Sequence, residues 1–289
     1  MKKVLALLVF FLFVSILMKS FYYFTDGFRL NKIVFFTKDS IYEEEKPLDE
    51  KITNQNFFYL GKGRQSYVFE SEDKKYVIKL IRFHKYQMPL WSYLFAKLHL
   101  NFEKQKIMLF QKEERKQRAY DSYLLAKNEL IYLTHVNYLH LKKTHYLNKT
   151  ISLYDAMKRK HILNLDDVFF IIQKKADSLQ KQMLTLYEER NDEKLKTLIS
   201  SYIDMVVSRL DKNIANRDYM NYVRNCGVIK SQVMEVDIGS FYLEDLNSSI
   251  AKKNEFERSL STLETFINKK MPSYRHLLED LKNKASCKL

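Results

Sequence analysis

A lysine interrupts an otherwise apolar, β-prone hexamer, Tyr76-Val77-Ile78-Lys79-Leu80-Ile81. A half-buried strand rarely turns a lone ammonium toward a core unless an anion meets it; on an alternating strand the same lysine can also face solvent. Upstream lies Leu60-Gly61-Lys62-Gly63-Arg64-Gln65-Ser66-Tyr67-Val68-Phe69. Two glycines one residue apart, between two strands, let a hairpin tip approach phosphate oxygens through its backbone N–H groups. An ordinary β-hairpin carries the same pattern. Asn216-Arg217-Asp218-Tyr219 puts an exposed carboxylate in a polar loop, with Asn225-Cys226-Gly227-Val228 following. Asp and Asn also form loops on their own account. In Met234-Glu235-Val236-Asp237-Ile238-Gly239 an aspartate ends an apolar strand ahead of a turn glycine. That placement suits a Mg²⁺ ligand held on a rigid element, and equally a plain turn.

The elements that must position these residues are legible as strands first and helices later. Residues 59–63, 67–71 and 76–81 are β-rich and broken by Gly61, Gly63 and Glu72-Asp73. Lys79, eleven residues after Val68, suits the next-but-one strand of a meander. Residues 82–118 are basic and aromatic, a surface insertion with helical parts. Ala119, Tyr123, Ala126 and Leu130 follow helical spacing, and residues 137–144 and 168–173 read as strands. Leu195, Leu198, Ile199, Tyr202, Ile203, Val206, Val207 and Leu210 form a core-facing helical stripe. A short buried strand over 233–238 and a helix marked by Phe256, Leu260, Leu263 and Ile267 complete the chain. The order predicts an α+β chain of two lobes, β-rich then helical, with a cleft between them. The predicted divisions are an N-terminal apolar segment over 1–24, a tether over 25–55 with an acidic patch at Glu43–Glu45, a first lobe over 56–173 containing the insertion, and a helical lobe over 174–289.

Taken in order, the glycine hairpin, strand lysine, helix with a glutamate, long helix, Arg-Asp loop, asparagine and Asp-x-Gly resemble the protein-kinase-like fold over residues 57–242. The resemblance implies ATP and Mg²⁺ as cofactors and phosphoryl transfer to a hydroxyl acceptor. Gly61 and Gly63 would cover the nucleotide phosphates and Lys79 would contact them. Glu129, with Glu114 in reserve, would be the helix partner of that lysine. Asp218 resembles the catalytic-loop aspartate, Asn225 and Asp237 the pair that holds Mg²⁺, and Gln173 would be the hinge. Such a transition state needs positioning and charge neutralisation more than covalent help. The chain departs from the pattern at five places. No histidine precedes Arg217, Asn225 follows Asp218 by seven residues, the third hairpin glycine is Ser66, and Ile238 stands where Phe is usual. No Ala-Pro-Glu follows Asp237. The chain is therefore more similar to compact kinases, such as those that phosphorylate lipopolysaccharide-core sugars or aminoglycosides. A pseudokinase, a membrane-associated nucleotide-binding or scaffold module without turnover, is the alternative.

Composition narrows the classes. The 289 residues are 46% hydrophobic and carry a net charge of +14, which excludes an intrinsically disordered chain and favours an anionic partner. With 5 glycines, each is expected to mark a position that needs Gly. The 2 cysteines exclude a disulfide framework, and Cys226 is expected to be a small buried thiol. The 7 histidines include no His-Glu-x-x-His, so a zinc-protease reading fails, and His140 and His145 suit packing or surface roles. Residues 4–18 carry no charge and, as a helix, reach about 22 Å against a hydrocarbon core of about 30 Å. No small-residue cleavage site follows, and Phe21–Phe24 suit an interfacial belt, so the segment reads as an uncleaved membrane anchor. Lys2 and Lys3 precede it, while Lys19, Arg29, Lys32 and Lys38 follow, which puts the soluble part on the cytoplasmic side. The basic, aromatic stretch 83–118, with Trp91, Tyr93 and Lys97, then suits anionic headgroups, and no specific nucleic acid is expected.

Overall fold

The computed structural model describes residues 2–34, 47–87, 102–287 and 289. The acidic patch at Glu43–Glu45 and the residues Lys38, Trp91, Tyr93 and Lys97 lie outside the described residues. The chain has a β-sheet region, a helical part and one apolar N-terminal helix. It divides into two compact units, Met1–Lys112 with Tyr138–Gln173, and Glu113–Asn137 with Lys174–Leu289.

The first unit begins with α1 (Lys2–Phe24), a single helix of 23 residues. The helix runs past the uncharged stretch: Lys19 and Ser20 are absorbed into it and Phe21–Phe24 finish the last turn. At 1.5 Å per residue its length is roughly 35 Å rather than the shorter reach of the uncharged stretch alone. Leu5, Leu8, Phe11 and Leu12 are each more than half exposed, and none of the most apolar window is buried. The helix is long and apolar enough to cross a bilayer, a test that an export signal also passes. Gly27, at φ +70°, then turns the chain back; a Cβ there would lie 2.4 Å from the Tyr22 ring. Only glycine fits that turn. The reversal lets Phe28 pack edge-on against the rings of Tyr67 and Phe69.

The sheet that receives Phe28 has seven strands: β1 (Asn56–Lys62), β2 (Ser66–Ser71), β3 (Tyr76–Ile81), β4 (Val136–His140), β5 (Thr150–Tyr154), β6 (Lys160–Asn164) and β7 (Phe170–Lys174). Their order is β4-β7-β3-β2-β1-β5-β6. β1 is antiparallel to β2 and parallel to β5. Phe57, Tyr67, Phe69, Ile78, Leu80 and Leu153 fill the core on this sheet, each contributing roughly 1.5–3 kcal/mol by leaving water. Lys79 lies on the strand next to that of Val68, not the next but one, and the two residues are in register. His140 is buried, with Nδ1 2.8 Å from the Val168 carbonyl, as a packing histidine would be.

Helices dominate the second unit. Residues 102–118 of the expected insertion and the helix after it are one 27-residue helix, α3 (Phe102–Asn128), preceded in the chain by the short α2 (Glu50–Thr53). Then come α4 (Ile131–Thr134), α5 (Leu179–Glu188), α6 (Asp192–Leu210), α7 (Ser249–Lys270) and α8 (Arg275–Ser286). The side chains of Asn191 and Ser248 cap α6 and α7 by accepting from Lys194 N and Ala251 N. The α6 stripe is buried from Leu195 to Leu210 save Val207, which is half-buried, and Phe256, Leu260, Leu263 and Ile267 of α7 are buried with it. Two small sheets frame the loops: β11-β10-β8, with β8 (Asp177–Ser178), β10 (Cys226–Ile229) and β11 (Gln232–Glu235), and β12-β9, with β9 (Ile214–Asn216) and β12 (Phe241–Leu243).

Candidate functional site

In the second unit Asp218 leaves the end of β9, whose register with β12 pairs Asn216 with Phe241. Asn216 is buried, and its Oδ1 accepts a bond from Asp218 N at 2.9 Å. Residues Tyr219–Asn225 then coil as a 3-10 turn. That coil returns Asn225 to Asp218 across seven residues: Asn225 Nδ2 donates to Asp218 Oδ2 at 3.0 Å. Asn221 Nδ2 donates to Oδ1 at 2.8 Å, so both carboxylate oxygens are held. The Asn225 carbonyl accepts from Val236 N at 2.7 Å and from Asp237 N at 3.2 Å. Asp218, Asn225 and Asp237 are thereby joined within one unit. The side chain of Asp237 is exposed, and its Oδ1 accepts from Gly239 N at 3.3 Å.

Beneath this loop lies a buried ion cluster. Arg209 is fully buried; Nε lies 3.0 Å from Glu235 Oε1, and the guanidinium donates to Ile214 O and Ser259 Oγ. Asn216 Nδ2 donates to Glu235 Oε2 at 3.4 Å. Asn216 is thus the link between the buried carboxylate and the Asp218 backbone. Burial pushes the Glu235 carboxyl up, while Arg209 and Asn216 pull it the other way. Burial also pushes the Cys226 thiol well up, which suits a packed sulfur and not a nucleophile. Ser122 of α3 clamps the Asp-Ile-Gly turn, donating to Ile238 O at 2.7 Å and accepting from Phe241 N at 2.6 Å. Arg217 is exposed and stacks 4.1 Å over the Tyr242 ring.

Sequence reading missed Asn216, Ser122, Arg209 and Glu235 as supports. Two signals were available. Arg209 follows Val206 by three residues on the apolar stripe, and Glu235 interrupts an apolar strand; buried charges of opposite sign in those places call for each other.

In the first unit Lys79 is 7% exposed, so it does not face solvent. Gly61 and Gly63 lie at the β1–β2 hairpin, where Gly63 N donates to Ser66 O at 2.8 Å. The fold itself does not require glycine there. A Cβ at Gly61 meets nothing within 4 Å, and one at Gly63 meets only the Ser66 carbonyl at 3.8 Å. The expectation that every glycine marks a constrained backbone therefore holds for Gly27 but not for these two. An open face on the hairpin suits close approach of a phosphate. Glu129 sits one residue past α3, half exposed, and pairs with Lys212 at 3.3 Å. Glu114 pairs with Arg118 along the helix.

The donor set fits a hard divalent ion in part. Among the described residues no three His, Cys, Asp or Glu side chains gather as a metal cage. Magnesium characteristically takes one or two carboxylates and completes its shell with water and substrate phosphates. Asp237 supplies one such carboxylate, and the amide oxygen of Asn225 is a neutral hard oxygen donor.

No protein-family model and no curated protein sequence matches the chain. Among solved structures it is similar to the one titled medium resolution structure of the bifunctional kinase-methyltransferase WbdD. The identity is 13% and the TM-score 0.36, with 77% of this chain and 43% of that chain covered. The chain thus spans less than half the length of that protein, and a TM-score at this level does not define a shared fold.

Proposed function

We propose that the chain is an ATP- and Mg²⁺-dependent phosphotransferase of the protein-kinase-like fold. It would act near a membrane on a hydroxyl acceptor, such as a sugar of a lipopolysaccharide-type lipid. The observation that carries this reading is the joining of Asp218, Asn225 and Asp237 despite the long spacing. Asp218 would orient the acceptor hydroxyl and take its proton, held in place by Asn216, Asn221 and Asn225. Asp237 and Asn225 would hold the Mg²⁺, which when bound neutralises charge on the phosphates. Buried Lys79 would meet the phosphates, and Gly61 and Gly63 would let the hairpin lie close to them. Glu129 is left to its ion pair with Lys212. The helix α1 would hold the domain on the cytoplasmic face of the membrane.

One observation favours the scaffold alternative. Both oxygens of Asp218 already accept side-chain amide hydrogens, so an acceptor hydroxyl has to share or displace one of those bonds to reach the carboxylate. Full-length protein in detergent, incubated with ATP, Mg²⁺ and membrane extract, separates the two. Transfer of the terminal phosphate to an extractable lipid or sugar is expected. Nucleotide binding with no transfer to any acceptor would favour the scaffold.

A further inference from the structure

At the foot of α1 six cations crowd together: Arg29 and Lys32 after the helix, Lys62 and Arg64 in the glycine hairpin, and Arg82 and Lys85 after β3. Lys32 Nζ donates to Gly27 O at 2.6 Å and sits 5.3 Å from the centre of the Tyr22 ring. Lys62 Nζ lies 5.0 Å from the same ring. Arg82 bonds the Gly63 carbonyl at 3.3 Å and stacks over Tyr67, whose hydroxyl donates to that same Gly27 O at 2.7 Å. Tyr22, Gly27 and Tyr67 therefore gather the cations around one turn.

Few carboxylates among the described residues answer their charge. Among the described residues the one carboxylate bonded to any of the six is Asp26, on Lys62. Arg82 Nε is buried without a hydrogen-bond partner. Burial, then the charges of Arg29, Arg82 and Lys62, hold the Lys32 ammonium below its ordinary range. Crowded like charges and an orphaned N–H cost free energy unless an anion joins them.

The place of the cluster says which anion. Gly27 is three residues past the end of an apolar helix long enough to cross a bilayer, so with α1 inserted the cluster lies at the depth of the headgroups. We propose that this cationic cluster, centred on Lys32 and Arg82, is a binding site for the phosphate of an anionic lipid headgroup. The proposal rests on α1 remaining in the membrane. Because Lys62 lies between Gly61 and Gly63, an occupied site also tethers the glycine hairpin to the bilayer surface.

The test uses the full chain in neutral detergent, with retained lipid read by native mass spectrometry. Phosphatidylglycerol is compared with phosphatidylcholine. Each basic residue near an anionic surface is worth roughly a fivefold change in affinity. The double variant K32Q/R82Q should therefore lose roughly 30-fold of the preference for phosphatidylglycerol. The variant R29Q/R64Q alters two exposed side chains without touching the turn, and should lose preference in the same direction. K269Q/K270Q removes the same charge at the end of α7 and should behave as wild type. Equal retention of the two lipids by wild type overturns the proposal. So does a loss in K269Q/K270Q as large as in K32Q/R82Q, which would show bulk charge alone. Displacement of phosphatidylglycerol by sub-millimolar inorganic phosphate would mark a free-phosphate site and overturn it too. Anchoring is judged separately, by alkaline extraction of the membranes and the N-terminal sequence of the mature chain. If α1 is absent there, the anchoring premise fails whatever the lipid data say.

Discussion

The Asn225 amide donates to Asp218 Oδ2 at 3.0 Å across seven residues of chain. Between them the chain coils as a 3-10 turn, so the spacing that looks too long in sequence closes in space. The same asparagine receives Asp237 through its carbonyl. One residue therefore connects the loop proposed to handle the acceptor with the turn proposed to hold the metal.

Metal and nucleotide binding should separate along these lines. Asp237→Asn removes the formal charge proposed to hold Mg²⁺, and should abolish Mg²⁺-dependent ATP binding measured by calorimetry. Lys79→Met should weaken ATP binding, transfer or both. Unchanged Mg²⁺-dependent binding in Asp237→Asn would remove that residue from the metal site.

How far the sequence discloses this arrangement depends on the element. Residues 76–81 are read correctly as a strand because β-branched residues and flanking turns agree there. β6 is hidden: it ends the sheet order, four of its five residues are not buried, and Ile162 is 68% exposed, so no apolar alternation marks it. β10 is hidden for another reason. Asn225 and Gly227 look like turn residues, yet a Cβ at Gly227 would lie 2.6 Å from Ala176 Cβ, so glycine there serves close strand packing. The Asp218, Asn225 and Asp237 positions are legible from residue type and order. Their supports are not, because the bonds from Asn216 to Glu235 and from Ser122 to Ile238 join residues distant in sequence.

The buried support should carry stability and rate separately. Glu235→Ala leaves the Arg209 guanidinium buried beside an empty position. Losing one member of a buried ion pair costs on the order of 3–5 kcal/mol, and chemical denaturation should report it. Asn216→Ala removes the acceptor for Asp218 N, so kcat should fall while KM for ATP holds. A rise in KM for ATP alongside the fall in kcat would mean general loss of structure.

Glu129→Gln should change little. Its pair with Lys212 is exposed on both sides, and such pairs contribute roughly 0–1 kcal/mol. ATP affinity should stay at the wild-type value. A marked loss of affinity would return Glu129 to the role of partner to Lys79.

Asp155 sets an acid limit for the first unit. Its buried carboxylate accepts from Arg159 Nε at 2.9 Å and is 2.9 Å from His161 Nε2. Burial alone would raise its pKa, but the His161 and Arg159 bonds outweigh it and hold the carboxyl below the ordinary aspartate range. A carboxyl depressed on folding stabilises the native state above its unfolded value, and that stability is lost as pH falls through the folded value. Wild type should therefore lose urea resistance below about pH 4. Asp155→Asn should start lower at neutral pH and show a shallower acid decline.

The central claim is that Asp218 serves phosphoryl transfer. Its most direct test is Mg²⁺-dependent transfer from ATP by the full-length protein and by Asp218→Asn, with ATP binding measured on the same samples. The account predicts equal binding and a rate lower by roughly 10²–10⁴-fold in the variant. Transfer by Asp218→Asn as fast as by wild type would contradict it.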